Sequence, residues 1–167
     1  MTLTVEIGTA SSTSEAYCDV AYADSYFAAR GHTLWAGLVT GDKEAALRRA
    51  ADYLTATYRT RWAGRRVSAT QALDWPRYQA PNADAFAAYY PSDSIPREVV
   101  QANAELALRA AAGELIEDLE PPVASESVGP VSTTYFQGAS REKKFPAIDR
   151  MLAPLLRGAG GIKLVRA

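Results

Sequence analysis

Apolar positions along this chain change their spacing several times, and each spacing predicts an element. Residues 2–7 alternate, with Leu3, Val5 and Ile7 on one side and Thr2, Thr4 and Glu6 on the other, the period of a half-buried strand. The Ser- and Thr-rich stretch 8–15 reads as a loop. Over 20–30, Tyr22, Tyr26, Phe27 and Ala29 supply the buried side of a first helix, with Asp19 as N-cap and Gly31 as the stop. The linker 32–41 carries Trp35, expected to plug the core. In 42–58, Leu47, Ala50, Ala51, Leu54 and Tyr58 recur at three and four, the stripe of an amphipathic helix capped by Thr40 or Asp42. Lys43, Arg48, Arg49 and Asp52 fall off that stripe.

Beyond Tyr58 the chain is punctuated. Residues 62–64 predict a turn, and 68–73 at most a short helix, because Pro76 and the residue before it disfavour continuation. The stretch 78–94 is a long loop with Pro81, Pro91, Phe86, Tyr89 and Tyr90, in which 84–90 have room for a turn or two of helix. Ser94 and Pro96 open the longest helix, which is expected to reach about Leu119. Val100, Ala104, Ala107, Leu108, Ala111 and Leu115 form its stripe, and Val99, Leu106 and Ala110 widen it, so this helix is expected at the centre. Pro121-Pro122 stops it. Residues 123–128 and 131–136 then predict two strands around Gly129-Pro130, a hairpin or an extended arm. A last short helix follows at 146–156, with Ile148, Leu152, Leu155 and Leu156 inward. A glycine hinge (158–161) and a terminal strand (162–166) end the chain. The predicted fold class is mainly α with a minor β part: a small bundle of about four helices, a β-hairpin or arm, and terminal strands. One domain, 1–167, is expected, with a helical core at 17–119, a loop insertion at 78–94, an arm at 121–140 and a C-terminal helix and tail at 146–167.

Composition narrows the function. The chain has 167 residues, 48% of them apolar and 22% charged, enough for a packed core and too few charges for compositional disorder. A net charge of −1 argues against nucleic-acid binding over the whole surface and leaves local basic patches open. Cys18 is the single cysteine, so no intrachain disulfide forms and no cysteine cluster holds zinc; a reducing compartment is expected. No apolar run approaches the roughly 18 residues of a membrane span, and the first residues lack a signal-peptide pattern, so no membrane association and an intracellular product are expected. His32, the single histidine, reads as a surface or capping residue, and Cys18 as a buried structural thiol. No phosphate loop, nucleophile elbow or paired metal ligands occur, so the chain is expected to be no enzyme and to need no cofactor or metal.

The segment that carries chemistry is 59–77. Arg59, Arg61, Arg65 and Arg66 fall within eight residues with no acid among them, and Arg77 follows. Guanidinium groups suit planar, bidentate contacts to carboxylate or phosphate. Three uses are open, ranked in this order: a contact with a neighbouring subunit, a solvated face, or DNA phosphates. Glu114, Glu117, Asp118 and Glu120, at the acidic end of the long helix, are natural counterparts if copies pack head to tail. Trp62 and Trp75 are expected as core anchors rather than base-stacking platforms.

Several motifs together carry a family resemblance. They are Tyr17-Cys-Asp-Val20 with Ala23-Asp24 and Tyr26-Phe27; Trp35; Asp42-Lys43 with Ala46-Leu47 and Tyr53-Leu54; Trp62 with Gly64-Arg65; Gln71-Ala-Leu-Asp-Trp75-Pro76-Arg77; and Ile95-Pro96 with Val99. In order and spacing they resemble a family of tailed-phage proteins labelled DnaT-like single-stranded-DNA-binding proteins, which also look like the head–tail connector (adaptor) proteins of long-tailed phages. The segments 129–135 and 148–156 are similar to what such adaptors carry after their helices. The resemblance implies a structural adaptor in the phage neck, made in the bacterial cytoplasm and carried in the virion. Its implied form is a homo-oligomeric ring of twelve copies under the portal protein, docking stopper and tail-terminator proteins, with genomic double-stranded DNA passing through the lumen. Val131, Tyr135, Phe136, Ile162, Leu164 and Val165 are then the arm positions for portal or neighbour. The alternative implied by the label is a replication accessory protein that binds single-stranded DNA through a basic, aromatic groove.

Overall fold

The structure, a computed structural model, describes residues 2–82, 85, 88–116, 125–128, 131–134 and 143–157. It is mainly α with a minor β part, the class the sequence predicts. The described helices are α1 (Val20–Ala28), α2 (Thr33–Ala36), α3 (Thr40–Tyr58), α4 (Arg97–Ala112) and α5 (Pro146–Leu152), the last running into a 3-10 turn, Ala153–Leu155. Two antiparallel pairs complete the fold: β1 (Arg65–Arg66) with β2 (Arg77–Tyr78), and β3 (Ser125–Val128) with β4 (Val131–Thr134). The second pair is the hairpin expected around Gly129-Pro130, in register from Val128 opposite Val131.

The core lies where α3 and α4 pack along each other and α5 closes over α4. The α3 stripe is as predicted: Leu47, Ala50, Ala51, Leu54 and Tyr58 are all buried. On α4 the predicted Ala104 and Ala107, together with the widening positions Val99, Leu106 and Ala110, are buried, joined by Ala102 and Asn103, whereas Val100, Leu108 and Ala111 are only half-buried. Asn103, a polar residue outside the predicted stripe, is fully buried on this face. Its Oδ1 accepts from the backbone N–H of Tyr17 at 2.8 Å, and its Nδ2 donates to the carbonyl of Leu47 at 3.0 Å. One side chain thus ties the N-terminal segment to both central helices, and its polar atoms are satisfied. Cys18 is buried beside it, its Sγ 3.8 Å from Asn103 Oδ1.

Several expectations are corrected. Residues 2–7 form no strand; Val5 makes a single bridge to Ala16. The predicted faces are also reversed at the end of that stretch, with Glu6 buried and Ile7 75% exposed. The reason is the loop that follows. Glu6 Oε1 accepts from the N–H groups of Gly8, Thr9 and Ala10, and Oε2 from Ser11 N–H and the Ser14 hydroxyl. A loop whose N–H groups turn inward needs acceptors, and one carboxylate supplies them. Ala29, expected inward on α1, is exposed. Helix α3 begins at Thr40 with Val39 as N-cap and no side-chain cap, so neither Thr40 nor Asp42 has that role. Lys43, placed off the stripe, is buried by pairing with Asp24. Helix α4 ends at Ala112 rather than near Leu119. Gly113 costs a helix about 1 kcal/mol relative to alanine, and the break lets Leu115 fold into the core. Glu114 therefore lies beyond the helix rather than in its last turn. The α1 cap stands as predicted, with Asp19 accepting from Tyr22 N–H at 2.7 Å. No helix among the described residues is long and apolar enough to cross a membrane. The predicted hinge 158–161 and strand 162–166 lie outside the described residues, as do Asp84, Phe86 and Ala87 of 84–90.

Candidate nucleic-acid interface

The chain leaves α3 by reversing on itself. The N–H groups of Arg61 and Trp62 both donate to the carbonyl of Tyr58. Trp62 is fully buried and bridges Leu156, while Ala63 N–H donates to the carbonyl of Leu155, so the 3-10 turn clamps this segment from the C-terminal side. Gly64 follows with φ of 68°. A Cβ there would sit 2.6 Å from the Tyr78 carbonyl oxygen and 2.8 Å from Ala80 N, so glycine is what lets the β1–β2 ribbon close.

In the ribbon Arg65 stands opposite Tyr78, and Arg66 opposite Arg77. Successive residues of a strand face opposite ways, so the two pairs separate. Arg65 and Tyr78 are exposed, and Arg77 is buried with Arg66 half-buried beside it. Arg77 thereby leaves the surface set. Its Nε donates to the Ala63 carbonyl at 2.6 Å, and its two terminal nitrogens to the carbonyls of Asp74 and Gly64, each at 3.0 Å. Burial pulls its pKa below the ordinary guanidinium value. Asp74 opposes that shift, and the neighbouring Arg157 and Arg66 add to it. Three cations therefore crowd one corner.

The remaining predicted arginines divide by their partners. Arg59 reaches the buried Asp74 carboxylate at 3.0 Å, and Arg61 lies over the Tyr58 ring with Asp149 at 3.6 Å. Arg65 and Arg66 have no carboxylate partner among the described residues. Arg157 joins the group, its Nε donating to the Trp62 carbonyl at 2.8 Å and its N–H to that of Arg61. Sequence reading missed Arg157, because nothing local in the last helix announces its return to residues 61–62. Six arginines thus surround the ribbon, with Asp74 and Asp149 as their ionic partners, a local excess of positive charge on a chain near neutrality.

The aromatic residues sort in the same way. Trp62 and Trp75 are fully buried and meet edge to face with ring centres 5.9 Å apart, so they are core residues and offer no face to a base. Trp75-Pro76 is a cis peptide, and the Tyr17 hydroxyl accepts from the N–H groups of Asp74 and Trp75 at 3.0 and 3.2 Å. The long loop folds back on itself, with Tyr90 N–H donating to the Ala80 carbonyl and Pro81 bridging Tyr89. Tyr78 and Tyr89 are left 55% and 53% exposed.

Of the acidic candidates, the described one, Glu114, does not meet this face. Glu114 is exposed beyond α4, 3.6 Å from Arg49, and its carbonyl accepts from Lys143 Nζ. Glu117, Asp118 and Glu120 lie outside the described residues. So do Tyr135, Phe136, Ile162, Leu164 and Val165, and Val131 is described only as the first residue of β4. Among the described residues no group of three or more His, Cys, Asp or Glu side chains is arranged to hold a metal ion.

A family model described as "Putative DnaT-like ssDNA binding protein" matches residues 1–167. The chain therefore belongs to that family. Neither a curated protein nor a solved structure matches it.

Proposed function

As a member of the DnaT-like family, we propose, this protein holds a single DNA strand against the β1–β2 ribbon. The observation that carries the reading is the exposed pair of Arg65 and Tyr78, facing each other across the ribbon inside a surplus of arginine. Arg65, which is exposed, and the solvent-reaching part of the half-buried Arg66 have no carboxylate partner among the described residues and are available to phosphate oxygens. The exposed rings of Tyr78 and Tyr89 offer faces on which bases stack whatever their identity. Arg77 serves this face by fixing its shape. Binding of this kind involves no bond-making and needs no cofactor.

The test is fluorescence anisotropy of a labelled oligothymidylate over a range of salt. Each phosphate contact adds about 0.7 to the slope of log affinity against log salt for a single strand. Replacing Arg65 and Arg66 together with alanine is expected to lower that slope by roughly 1.4. Tyr78→Ala is expected to weaken binding by about 1–3 kcal/mol with the slope unchanged. Binding that ignores both substitutions removes the ribbon from the interface.

A second reading is the phage neck adaptor, and one observation leaves room for it. The motif residues that carry the resemblance, Asp24, Trp35, Lys43, Trp75 and Arg77, all bind other parts of this same chain. The pattern thus marks a fold, and one fold serves unrelated uses. In this reading the ribbon faces a neighbouring copy or the double-stranded genome inside a ring, and portal and stopper proteins are the partners. Mass photometry with the candidate portal separates the two. A monomer that joins the portal in ring stoichiometry and ignores the oligonucleotide selects the adaptor.

A further inference from the structure

A second polar cleft lies at the other end of α3. Its distance follows from helix geometry: Lys43 and Arg59 are sixteen residues apart, about 24 Å at 1.5 Å per residue. The cleft, of about 280 Å³, opens between α1, α2 and the start of α3 and is lined by Asp24, Phe27, His32, Trp35 and Lys43 with Ala28 and Ala36. At its centre Asp24 Oδ1 accepts from the Trp35 indole N–H at 2.7 Å and from Lys43 Nζ at 2.9 Å. Lys43 is buried, whereas the Asp24 side chain is 47% exposed, with no described group donating to Oδ2.

This arrangement selects a ligand class by exclusion. A phosphate or carboxylate would meet the exposed Asp24 carboxylate. A second cation would meet the ammonium of Lys43, which is already buried and paired. The cleft is neutral as a whole, and it presents an acceptor, Asp24 Oδ2, beside a donor, the Lys43 ammonium with hydrogens to spare. A neutral group with a donor and an acceptor side by side satisfies both. His32, the exposed ring of the lining, offers a flat group one aromatic face, with Phe27 and Trp35 buried beneath it. The volume lies just below the range of ligand pockets, roughly 300–1,000 Å³, and has room for a single ring.

We infer that this cleft binds a single nucleobase, by its hydrogen-bonding edge, at the far end of α3 from the arginine ribbon. A carboxylate accepting from a base amino group is one of the regular side-chain pairings of nucleic-acid recognition. The inference rests on the single-stranded-DNA reading only for the source of the base. The pocket chemistry stands on Asp24 and Lys43.

The experiment is a ¹H–¹⁵N titration of the indole signals of the intact protein. Three tryptophans give three reporters. Trp35 lies in the cleft, and Trp62 and Trp75 lie in the core outside its lining. The probes are the four deoxyribonucleosides, which have a base and no phosphate, and deoxyribose 5-phosphate, which has the reverse. At least one nucleoside is expected to shift the Trp35 signal saturably while Trp62 and Trp75 stay still, and deoxyribose phosphate is expected to leave Trp35 in place. Asp24→Asn is expected to weaken the nucleoside roughly tenfold, the scale of a hydrogen bond to a charged group. A Trp35 signal that no nucleoside moves overturns the inference, as does one that the sugar phosphate moves equally. Oligonucleotide anisotropy on the Arg65→Ala/Arg66→Ala double variant keeps the two sites apart. If the wild type binds no oligonucleotide but Trp35 answers nucleosides, the ribbon reading fails and the cleft stands. Strand binding that depends on the arginines with a silent Trp35 gives the opposite result.

Discussion

Arg59 donates through Nε to the carboxylate of Asp74 at 3.0 Å, joining the end of α3 to the turn that precedes β2. The partners are unequally placed. Asp74 is 1% exposed, and the Arg59 side chain is half in solvent. Losing the arginine therefore leaves a buried charge, whereas losing the acid leaves a solvated one. Arg59→Ala is expected to destabilise by about 2 kcal/mol, moderated by the access of water to the arginine side. Asp74→Asn, which keeps an acceptor for Arg59, is expected to cost less. Urea denaturation of both variants and of the double variant measures the coupling. Equal effects would show that Asp74 is anchored by its other neighbours.

Glu6 is the other buried carboxylate whose role the fold defines. It takes hydrogen bonds from four backbone N–H groups and the Ser14 hydroxyl. The loop it organises also holds the next layer, because the Ser11 carbonyl accepts from Ala72 N–H at 2.8 Å, close to Asp74 and Trp75. Glu6→Ala is expected to cost roughly 2–4 kcal/mol, the scale of a broken buried polar network. Amide exchange should show the loss spreading from 8–14 to 71–75. If exchange rises only in 8–14, the two loops are energetically separate.

Much of the architecture was legible because it rests on periodicity. The α3 stripe and the two strands around Gly129-Pro130 follow from apolar spacing and turn chemistry, and both stand, the strands as a hairpin. What failed did so where a polar group wins a buried place. Glu6 inverts the face of the first segment by accepting from the N–H groups of the loop just after it, whereas Asn103 takes a core place on α4 and Lys43 goes inward to Asp24 because their hydrogen-bond partners lie on elements distant in sequence. The arginine cluster was visible as composition, but its division was not. Which arginines serve the fold depends on the Gly64 turn and on where residues 153–157 return, neither of which is local information.

Two glycines with the same backbone twist make a controlled comparison. Gly64 and Gly31 have φ of 68° and 70°, but a Cβ at Gly31 meets nothing within 4 Å. Gly31→Ala should therefore show only the left-handed penalty, about 1 kcal/mol. Gly64→Ala adds a clash with backbone atoms of Tyr78 and Ala80 and is expected to cost several times more, with loss of strand binding through the distorted ribbon. Thermal unfolding of the two variants measures the difference. A Gly64→Ala variant as stable as Gly31→Ala would mean that β2 shifts freely.

Cys18 gives a pH dependence with a defined sign. Burial pushes its thiol up to about 12 from an ordinary 9, and Asp19 adds to the shift. The folded state therefore holds the proton more tightly than the unfolded state does. Its contribution to stability is complete below pH 9 and is lost as the pH rises from 9 towards 12. Cys18→Ala is expected to flatten the fall in stability over that window. In the native protein, thiol reagents at pH 8 should react only at the rate of opening. Rapid stoichiometric labelling of folded protein would show that the site is open.

Arg77 and Arg65 sit on opposite sides of the same ribbon, and the contrast between them separates fold from binding. Arg77 satisfies the carbonyls of Ala63, Asp74 and Gly64 from a buried position. Arg77→Ala leaves those carbonyls unpaired and opens a cavity, so a cost of roughly 3–5 kcal/mol is expected. Arg77→Lys is no rescue, because one ammonium lacks the planar fork that spans three acceptors. Arg65→Ala, at an exposed site without an ionic partner among the described residues, is expected to change stability by less than about 0.5 kcal/mol. Its effect should appear instead in the salt dependence of strand binding. Denaturation and anisotropy on the same two variants give a crossed pattern if the ribbon is the interface. If Arg65→Ala changes neither stability nor binding, the strand must lie elsewhere on the molecule.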